Sequence, residues 1–253
     1  ATPLDIRNST LDTAMIYTSP HPDVDIPDDA LPAYVMDGFG DRADQPALID
    51  GPSGRTLTYG ELAHAITQCA AGLHERGLRT GDVFAIYSPN VPEYAIAFYG
   101  VAMAGGINTT LNPLYTAEEA AHQLQDAGAK YLLTVPQFLD KAQQAAEEAG
   151  IEEVFVFGEA EGATPFGALL QHQHDPPDVM LESAEDLVTL PYSSGTTGLP
   201  KGVMLTHRNI VANIAQCLPI ENIQEGEATV GVLPFYHIYG MTIILSMALK
   251  AGA

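Results

Sequence analysis

Apolar positions along the chain follow two rhythms. Over residues 59–76, Leu62, Ile66, Cys69 and Leu73 recur at helical spacing and Gly77 follows, which predicts an amphipathic helix with a glycine stop. Residues 83–87 form a short unbroken apolar run, the pattern of a strand covered on both faces. The same alternation continues downstream. Thr116-Ala117-Glu118-Glu119 reads as a capping box opening a helix to Ala127, residues 130–135 as a strand, 136–149 as a helix and 153–157 as a strand. Residues 187–192 read as a further apolar strand, and a capped helix starts near Thr206 and runs through Ile210, Ile214 and Cys217. Upstream, residues 47–50 and 56–58 flank the turn Gly51-Pro52-Ser53-Gly54 and predict a hairpin. Three shorter readings complete the pattern: a helix near 31–39, a helix capped by Asn90 with Glu93 three places on, and a strand over 230–235.

Strands separated by helices of this length need crossover connections, so the fold class is α/β with a largely parallel sheet covered on both faces. The Pro- and Asp-rich stretch before about Asp41 has no sustained period and is expected to wrap the surface. Residues 158–186 are irregular, with a linker over 171–181. His172, His174 and Asp175 in that linker invite a metal reading, but their spacing fits no standard site, and solvated loop histidines are the simpler account.

Composition narrows the class. A length of 253 residues, 46% of them hydrophobic, allows a substantial core. With 32 Asp and Glu against 10 Lys and Arg, the net charge is −22, which argues against a nucleic-acid partner because phosphate backbones are bound by clustered cations. The acidity reads as a solvated surface. Only two cysteines occur, Cys69 and Cys217, both in helical apolar settings, so no disulfide framework organises the fold. The apolar run 241–249 is too short to span a bilayer, which takes about 20 residues. A soluble, cytoplasmic protein is expected.

The chemistry concentrates in one segment. Directly after the 187–192 strand come Ser193-Ser194-Gly195-Thr196-Thr197-Gly198-Leu199-Pro200-Lys201-Gly202, with four hydroxyls, three glycines and a lysine in ten residues. Glycines let backbone N–H groups converge on an anion, the hydroxyls donate further hydrogen bonds, and Lys201 brings a cation to an acidic chain. The arrangement suits a polyphosphate. It is not a Walker A loop, since Lys201 lies between Pro200 and Gly202 and the next element, at Val203-Met204-Leu205, reads as a strand.

The run from Tyr192 to His207, YSSGTTGLPKGVMLTH, resembles the signature phosphate loop of the acyl-adenylate-forming superfamily, which includes acyl-CoA synthetases, firefly luciferase and peptide-synthetase adenylation domains. Leu57-Thr58-Tyr59-Gly60-Glu61-Leu62, Ala104-Gly105-Gly106, Asn112-Pro113-Leu114-Tyr115 and the 233–240 segment LPFYHIYG agree with it in order and spacing. The Asn-Pro-Leu-Tyr and Phe-Tyr-His-Ile-Tyr-Gly stretches are most similar to 4-coumarate-CoA ligases and their bacterial aryl- or fatty-acid relatives. The resemblance implies layered, mainly parallel β-sheets flanked by helices, as in the N-terminal domain of acyl-CoA synthetases. Residues 1–180 would form a first α/β subdomain, and residues 181–253 the phosphate loop and the start of a second.

It further implies that Ser193, Ser194, Gly195, Thr196, Thr197, Gly198 and Lys201 surround the phosphates of ATP, with Lys201, Thr196 and His237 serving catalysis. His237, Tyr239, Thr242 and Ile243 would line the acid pocket. From the residues alone, His237 and Tyr239 would read rather as packed core side chains, and only the resemblance places them in a pocket. ATP, Mg2+ and coenzyme A are the implied cofactor and cosubstrates, and a small carboxylic acid is the substrate.

Superfamily members extend well beyond this length. Their segments for Mg2+, the ribose and the catalytic lysine of a small C-terminal domain are not represented, so the 253-residue chain is expected to be inactive alone. The edge near 230–235 is expected to favour self-association. Two other readings share the sequence features: a luciferase-like adenylating monooxygenase, which uses oxygen after the same first step, and a non-catalytic nucleotide-binding module.

Overall fold

The computed structural model describes residues 19–171, 175–193 and 200–253. Ten strands and seven α-helices occur in the order α1 (Leu31–Met36), β1 (Pro46–Ile49), β2 (Thr56–Thr58), α2 (Tyr59–Glu75), β3 (Val83–Tyr87), α3 (Pro92–Met103), β4 (Ile107–Thr110), α4 (Ala117–Ala127), β5 (Ala129–Thr134), α5 (Leu139–Ala149), β6 (Glu153–Val156), β7 (Thr164–Pro165), β8 (Leu187–Ser193), β9 (Lys201–Gly202), β10 (Leu205–Thr206), α6 (His207–Glu221) and α7 (Ala248–Ala251). A π-helical segment, Gly240–Met247, runs into α7.

β1 and β2 form a separate antiparallel hairpin. The other strands build one eight-stranded sheet in the order β10-β8-β4-β3-β5-β6-β7, with β9 also on β8. Every pairing from β8 through β4, β3, β5 and β6 to β7 is parallel, and only β9 and β10 run antiparallel to β8. Strands on both sides of position 180 thus share this sheet.

Alternation along β3 divides the core. Phe84 and Ile86 belong with Leu62, Ile66 and Leu73 of α2 and Phe98 and Tyr99 of α3. Val83, Ala85 and Tyr87 belong with Ala120, Ala121 and Leu124 of α4 and Ala142, Ala145 and Ala146 of α5. This is the period-2 geometry of a strand between two helical layers. On the first face, Phe84 and Phe155 stack with ring centroids 6.0 Å apart. On the second, alanines let α4 and α5 lie close, and both helices end on left-handed glycines, Gly128 (φ 65°) and Gly150 (φ 73°), which no β-carbon strains.

Capping boxes open three helices: Thr58 with Glu61, Thr116 with Glu119 and Thr206 with Asn209. Three expectations need correction. Asn90 does not cap α3; Val91 does, because Pro92 occupies the first turn, where its missing N–H costs nothing. Residues 230–235 are not a strand, since no described strand lies alongside them and a lone strand leaves its backbone groups unpaired. β4, lying next to β3, went unread because Asn108, Thr109 and Thr110 are polar, yet all three are buried. The helix expected from residue 136 begins as a 3-10 turn, Pro136–Phe138, ahead of α5. Cys69 is buried and Cys217 half-buried, and both are free thiols. His172 and His174 lie outside the described residues. Among the described residues no helix is long and apolar enough to cross a membrane.

Candidate functional site

Parallel strands direct all their carboxyl ends to one side of a sheet, and ligands of open α/β sheets bind there. Two segments from the sequence reading meet on that side. β8 ends at Ser193, next to the carboxyl end of β4, where Thr110 pairs with Pro191.

The first segment is the hydroxyl- and glycine-rich run. Its neck is a short antiparallel ladder in which Tyr192 faces Gly202 and Ser193 faces Lys201. Val203 N–H donates to the Pro191 carbonyl at 2.9 Å and continues the closure. Gly202 lies against the Tyr192 ring, so close that a β-carbon there would meet the ring at 3.1 Å. The phenol donates to Asp126 Oδ2 of α4 at 2.6 Å. Burial first, and then the carboxylate, push this phenol well above its ordinary pKa, so it remains a donor. Ser193 and Lys201 are both exposed at the neck. Arg55, Arg76, Lys130, Arg208 and Lys250 each pair with a carboxylate, whereas no described carboxylate pairs with Lys201. Ser194, Gly195, Thr196, Thr197 and Gly198 lie outside the described residues.

A cleft of about 390 Å³ opens beside the neck, lined by Tyr115, Glu119, His122, Gln123, Tyr192 and Pro200 among others. Gln123 is buried there and donates to Thr109 Oγ1 at 3.0 Å and to the Thr110 carbonyl at 3.1 Å, tying α4 to the end of β4.

The second segment holds the other candidates. Thr110 Oγ1 donates to the Tyr236 carbonyl at 2.7 Å, which seats residues 235–239 over the end of β4. Phe235 is buried edge-on against Tyr94 of α3, with centroids 5.7 Å apart. His237 is exposed, and its Nδ1 accepts from the Tyr239 N–H at 3.3 Å, leaving Nε2 as the protonated nitrogen of the neutral ring. Tyr239 is 49% exposed. Thr242 is buried with no partner for its hydroxyl among the described residues, and Ile243 is half-buried in the π-helical turn. That wider turn is braced where Tyr99 Oη donates to Ser246 Oγ and Ser246 Oγ donates to the Met241 carbonyl, both at 2.8 Å.

Of the sequence candidates, therefore, Ser193 and Lys201 stand at the neck, and His237 and Tyr239 are exposed on the neighbouring segment, while Thr242 points into the protein. Sequence reading missed Thr110, Gln123 and Asp126, side chains that hold these segments; their partners are distant in the chain and leave no local pattern.

Known proteins resemble this chain in sequence and in fold. The chain is 38% identical over 250 residues to 4-coumarate--CoA ligase 5 of Oryza sativa subsp. japonica, covering 96% of this chain and 46% of that protein. It is 38% identical over 245 residues to 4-coumarate--CoA ligase 2 of Solanum tuberosum, covering 94% and 45%. A long-chain-fatty-acid-CoA ligase structure from Archaeoglobus fulgidus is similar with a TM-score of 0.85 and 25% identity, over 93% of this chain and 48% of that one. The chain spans about half the length of the curated relatives it matches. Residues 39–253 match the family described as AMP-binding enzyme, and the chain belongs to that family.

Proposed function

We propose that this chain supplies the phosphate loop and part of the acid pocket of an acid–thiol ligase that acts on an aryl or fatty acid. In the first step a carboxylate oxygen of the acid attacks the α-phosphorus of ATP, the bond to the bridging oxygen breaks, and pyrophosphate leaves with the electron pair. In the second, the sulfur of coenzyme A attacks the acyl carbonyl and AMP leaves, giving the thioester. Charge accumulates on phosphate oxygens in the first step, so catalysis rests on placing donors and cations around them.

One observation carries this reading. The neck formed by Ser193 and Lys201 stands at the carboxyl end of β8, beside the end of β4 over which residues 235–239 are seated. A triphosphate held by the loop and a carboxylate held near His237 would then meet over neighbouring strands. Lys201 Nζ, exposed and without a described carboxylate partner, is the group of this chain suited to neutralise phosphate charge. Ser193, Ser194, Thr196 and Thr197 would donate to phosphate oxygens, with the amides of Gly195 and Gly198 alongside. His237 Nε2–H and the Tyr239 hydroxyl would orient the carboxylate, with Ile243 and Thr242 behind them. Mg2+, bound with ATP, would supply further charge neutralisation; no residue here is assigned to it.

The test is ATP–pyrophosphate exchange by the full gene product that carries this chain, against a panel of hydroxycinnamates, benzoates and fatty acids. Exchange dependent on one of these acids, reduced by about a hundredfold in Lys201→Ala, is expected. Absence of exchange with every acid, or unchanged turnover in Lys201→Ala, overturns the reading. The 253-residue chain assayed alone is expected to give no exchange.

A further inference from the structure

Residues 228–233 have no regular structure, and Val230 and Val232 are 81% and 78% exposed. Neither a ladder nor a core fixes the course of this stretch, yet it leads directly into the 235–239 segment. Among the described residues, one side chain reaches across to hydrogen-bond it. Asn90 Nδ2 donates to the Gly231 carbonyl at 2.8 Å and to the Leu233 carbonyl at 2.9 Å, and Asn90 Oδ1 accepts from the Phe235 N–H at 2.8 Å. Both amide hydrogens and the oxygen are thus engaged by one short run of backbone. Asn90 lies between β3 and α3, two elements embedded in the sheet and its first helical layer, so its anchorage is rigid. Thr110, at the end of β4, adds the next fixed point at the Tyr236 carbonyl.

We propose that Asn90 is a positioning residue for acid recognition: its side-chain amide, working with Thr110, fixes the backbone from Gly231 to Tyr236 and through it the direction in which His237 and Tyr239 face the reacting carboxylate. The proposal rests on the reading of residues 235–239 as part of the acid pocket. The neck of the proposed phosphate loop is held by other groups, the Tyr192–Asp126 hydrogen bond and the β8–β9 ladder. Disturbing Asn90 therefore affects the acid and leaves ATP alone. A three-bond clamp also tolerates no isostere: Asn90→Asp keeps the volume but turns the donor nitrogen into an oxygen facing two carbonyl oxygens.

Two measurements test this. In the 253-residue chain, amide hydrogen exchange of the peptide covering residues 231–239 is followed in wild type, Asn90→Ala and Asn90→Asp, with a thermal melt confirming that each is folded. Exchange at the Phe235 amide about tenfold faster in Asn90→Ala is expected, the scale of one lost hydrogen bond. A smaller increase is expected in Asn90→Asp, whose carboxylate still accepts from that amide but no longer holds the Gly231 and Leu233 carbonyls; unchanged exchange in Asn90→Ala overturns the clamp. In the full gene product, Asn90→Ala is expected to raise the acid KM by about tenfold and shift the preference among acids, with the ATP KM held within about twofold. Equal increases in both KM values, or neither, would refute the positioning role. Should Asn90→Ala fail to fold, Thr110→Val serves in its place: the same split, restored by Thr110→Ser, which keeps the hydroxyl, supports the proposal, and a Thr110→Ser variant as impaired as Thr110→Val overturns it. Wild-type protein that exchanges pyrophosphate with no acid rejects the functional reading and with it the role in acid recognition, while the amide-exchange result still decides the clamp separately.

Discussion

The Tyr192 hydroxyl and the Asp126 carboxylate meet at 2.6 Å across 66 positions of sequence, and their hydrogen bond ties the β8–β9 neck of the candidate phosphate loop to helix α4. Tyr192 lies opposite Gly202 in the β8–β9 ladder, one pair in from Ser193 and Lys201. Removing the tether by Tyr192→Phe keeps the ring against Gly202 but releases the neck from α4. The expected cost in stability is about 1 kcal/mol, with the ATP KM rising and the acid KM unchanged. Asp126→Asn should act in the same direction more mildly, since a neutral amide oxygen still accepts from the phenol. Steady-state kinetics on the full gene product check both, and a change confined to the acid KM would contradict the assignment.

His207 gives the fold a pH dependence with a definite sign. Its ring is fully buried at the start of α6; Nδ1 accepts from the Leu31 N–H at 3.0 Å, and Nε2 has no described partner. Burial lowers its pKa from 6.5 to about 4, against a smaller opposing effect of Asp186. In the unfolded chain the imidazole takes up a proton near its ordinary value, so between those two limits the unfolded state binds more protons. Stability from this group is therefore complete above about pH 6.5 and is lost as pH falls toward 4, by about 2 kcal/mol at pH 5. Protonation would also displace the Leu31 N–H, since a charged ring offers no acceptor. Urea denaturation of wild type and His207→Gln at pH 8 and pH 5 isolates the contribution: the variant should lose less than wild type on acidification. Parallel losses would show that other groups carry the acid sensitivity.

How much of this was visible beforehand depended on whether a feature is local. Capping boxes such as Thr116 with Glu119 occupy four consecutive positions, and both predicted and observed helices begin there. The run 193–202 also stands out by local composition, though only Ser193 and residues 200–202 of it lie among the described residues. β4 was hidden because its polarity is satisfied by distant partners: Asn108 Nδ2 donates to the Phe98 carbonyl at 3.0 Å and Thr109 Oγ1 to the Leu190 carbonyl at 3.0 Å. Buried polar groups with partners are cheap, and hydropathy alone does not register the partner. Asn90 carried a misleading local pattern, a capping residue with an acid three places on, while its amide serves backbone 141 to 145 positions away. The stretch 230–235 alternates like a strand, but strands are made by neighbours, and none lies beside it among the described residues.

Gly240 is required by close approach, with an ordinary negative φ. A β-carbon there would fall on the Pro234 carbonyl oxygen and come within 3.0 Å of the Leu233 carbonyl oxygen. Pro234 also accepts from the His237 N–H at 3.1 Å, so the turn carrying the candidate acid-binding groups folds back on its own start. Backbone, unlike a flexible side chain, cannot step aside at low cost. Gly240→Ala should therefore open the turn, destabilise the protein by about 2 kcal/mol and raise the acid KM without a matching change for ATP. A variant as stable as wild type and with the same acid preference would show that the turn relaxes freely.

Helix α6, which follows β10, tests whether local and distant anchors add. Thr206 ends β10 and caps α6: its Oγ1 accepts from the Asn209 N–H at 3.2 Å, and Asn209 Oδ1 accepts from the Thr206 N–H at 3.0 Å. The next residue, His207, receives the Leu31 N–H, so the first turn of α6 is fixed locally by the cap and distantly by α1. Thr206→Ala should cost about 1 kcal/mol, and Thr206→Ser much less because the accepting oxygen is kept. If the cap holds the imidazole in place, losing both anchors costs less than the sum, because a frayed turn has already given up the Leu31 bond. A double-mutant cycle of Thr206→Ala with His207→Gln, read by urea denaturation at pH 8, should then show a coupling of about 0.5 kcal/mol or more. Simple additivity would mean that α1 holds His207 independently of the cap, and the acid-dependent loss of stability should then persist unchanged in Thr206→Ala.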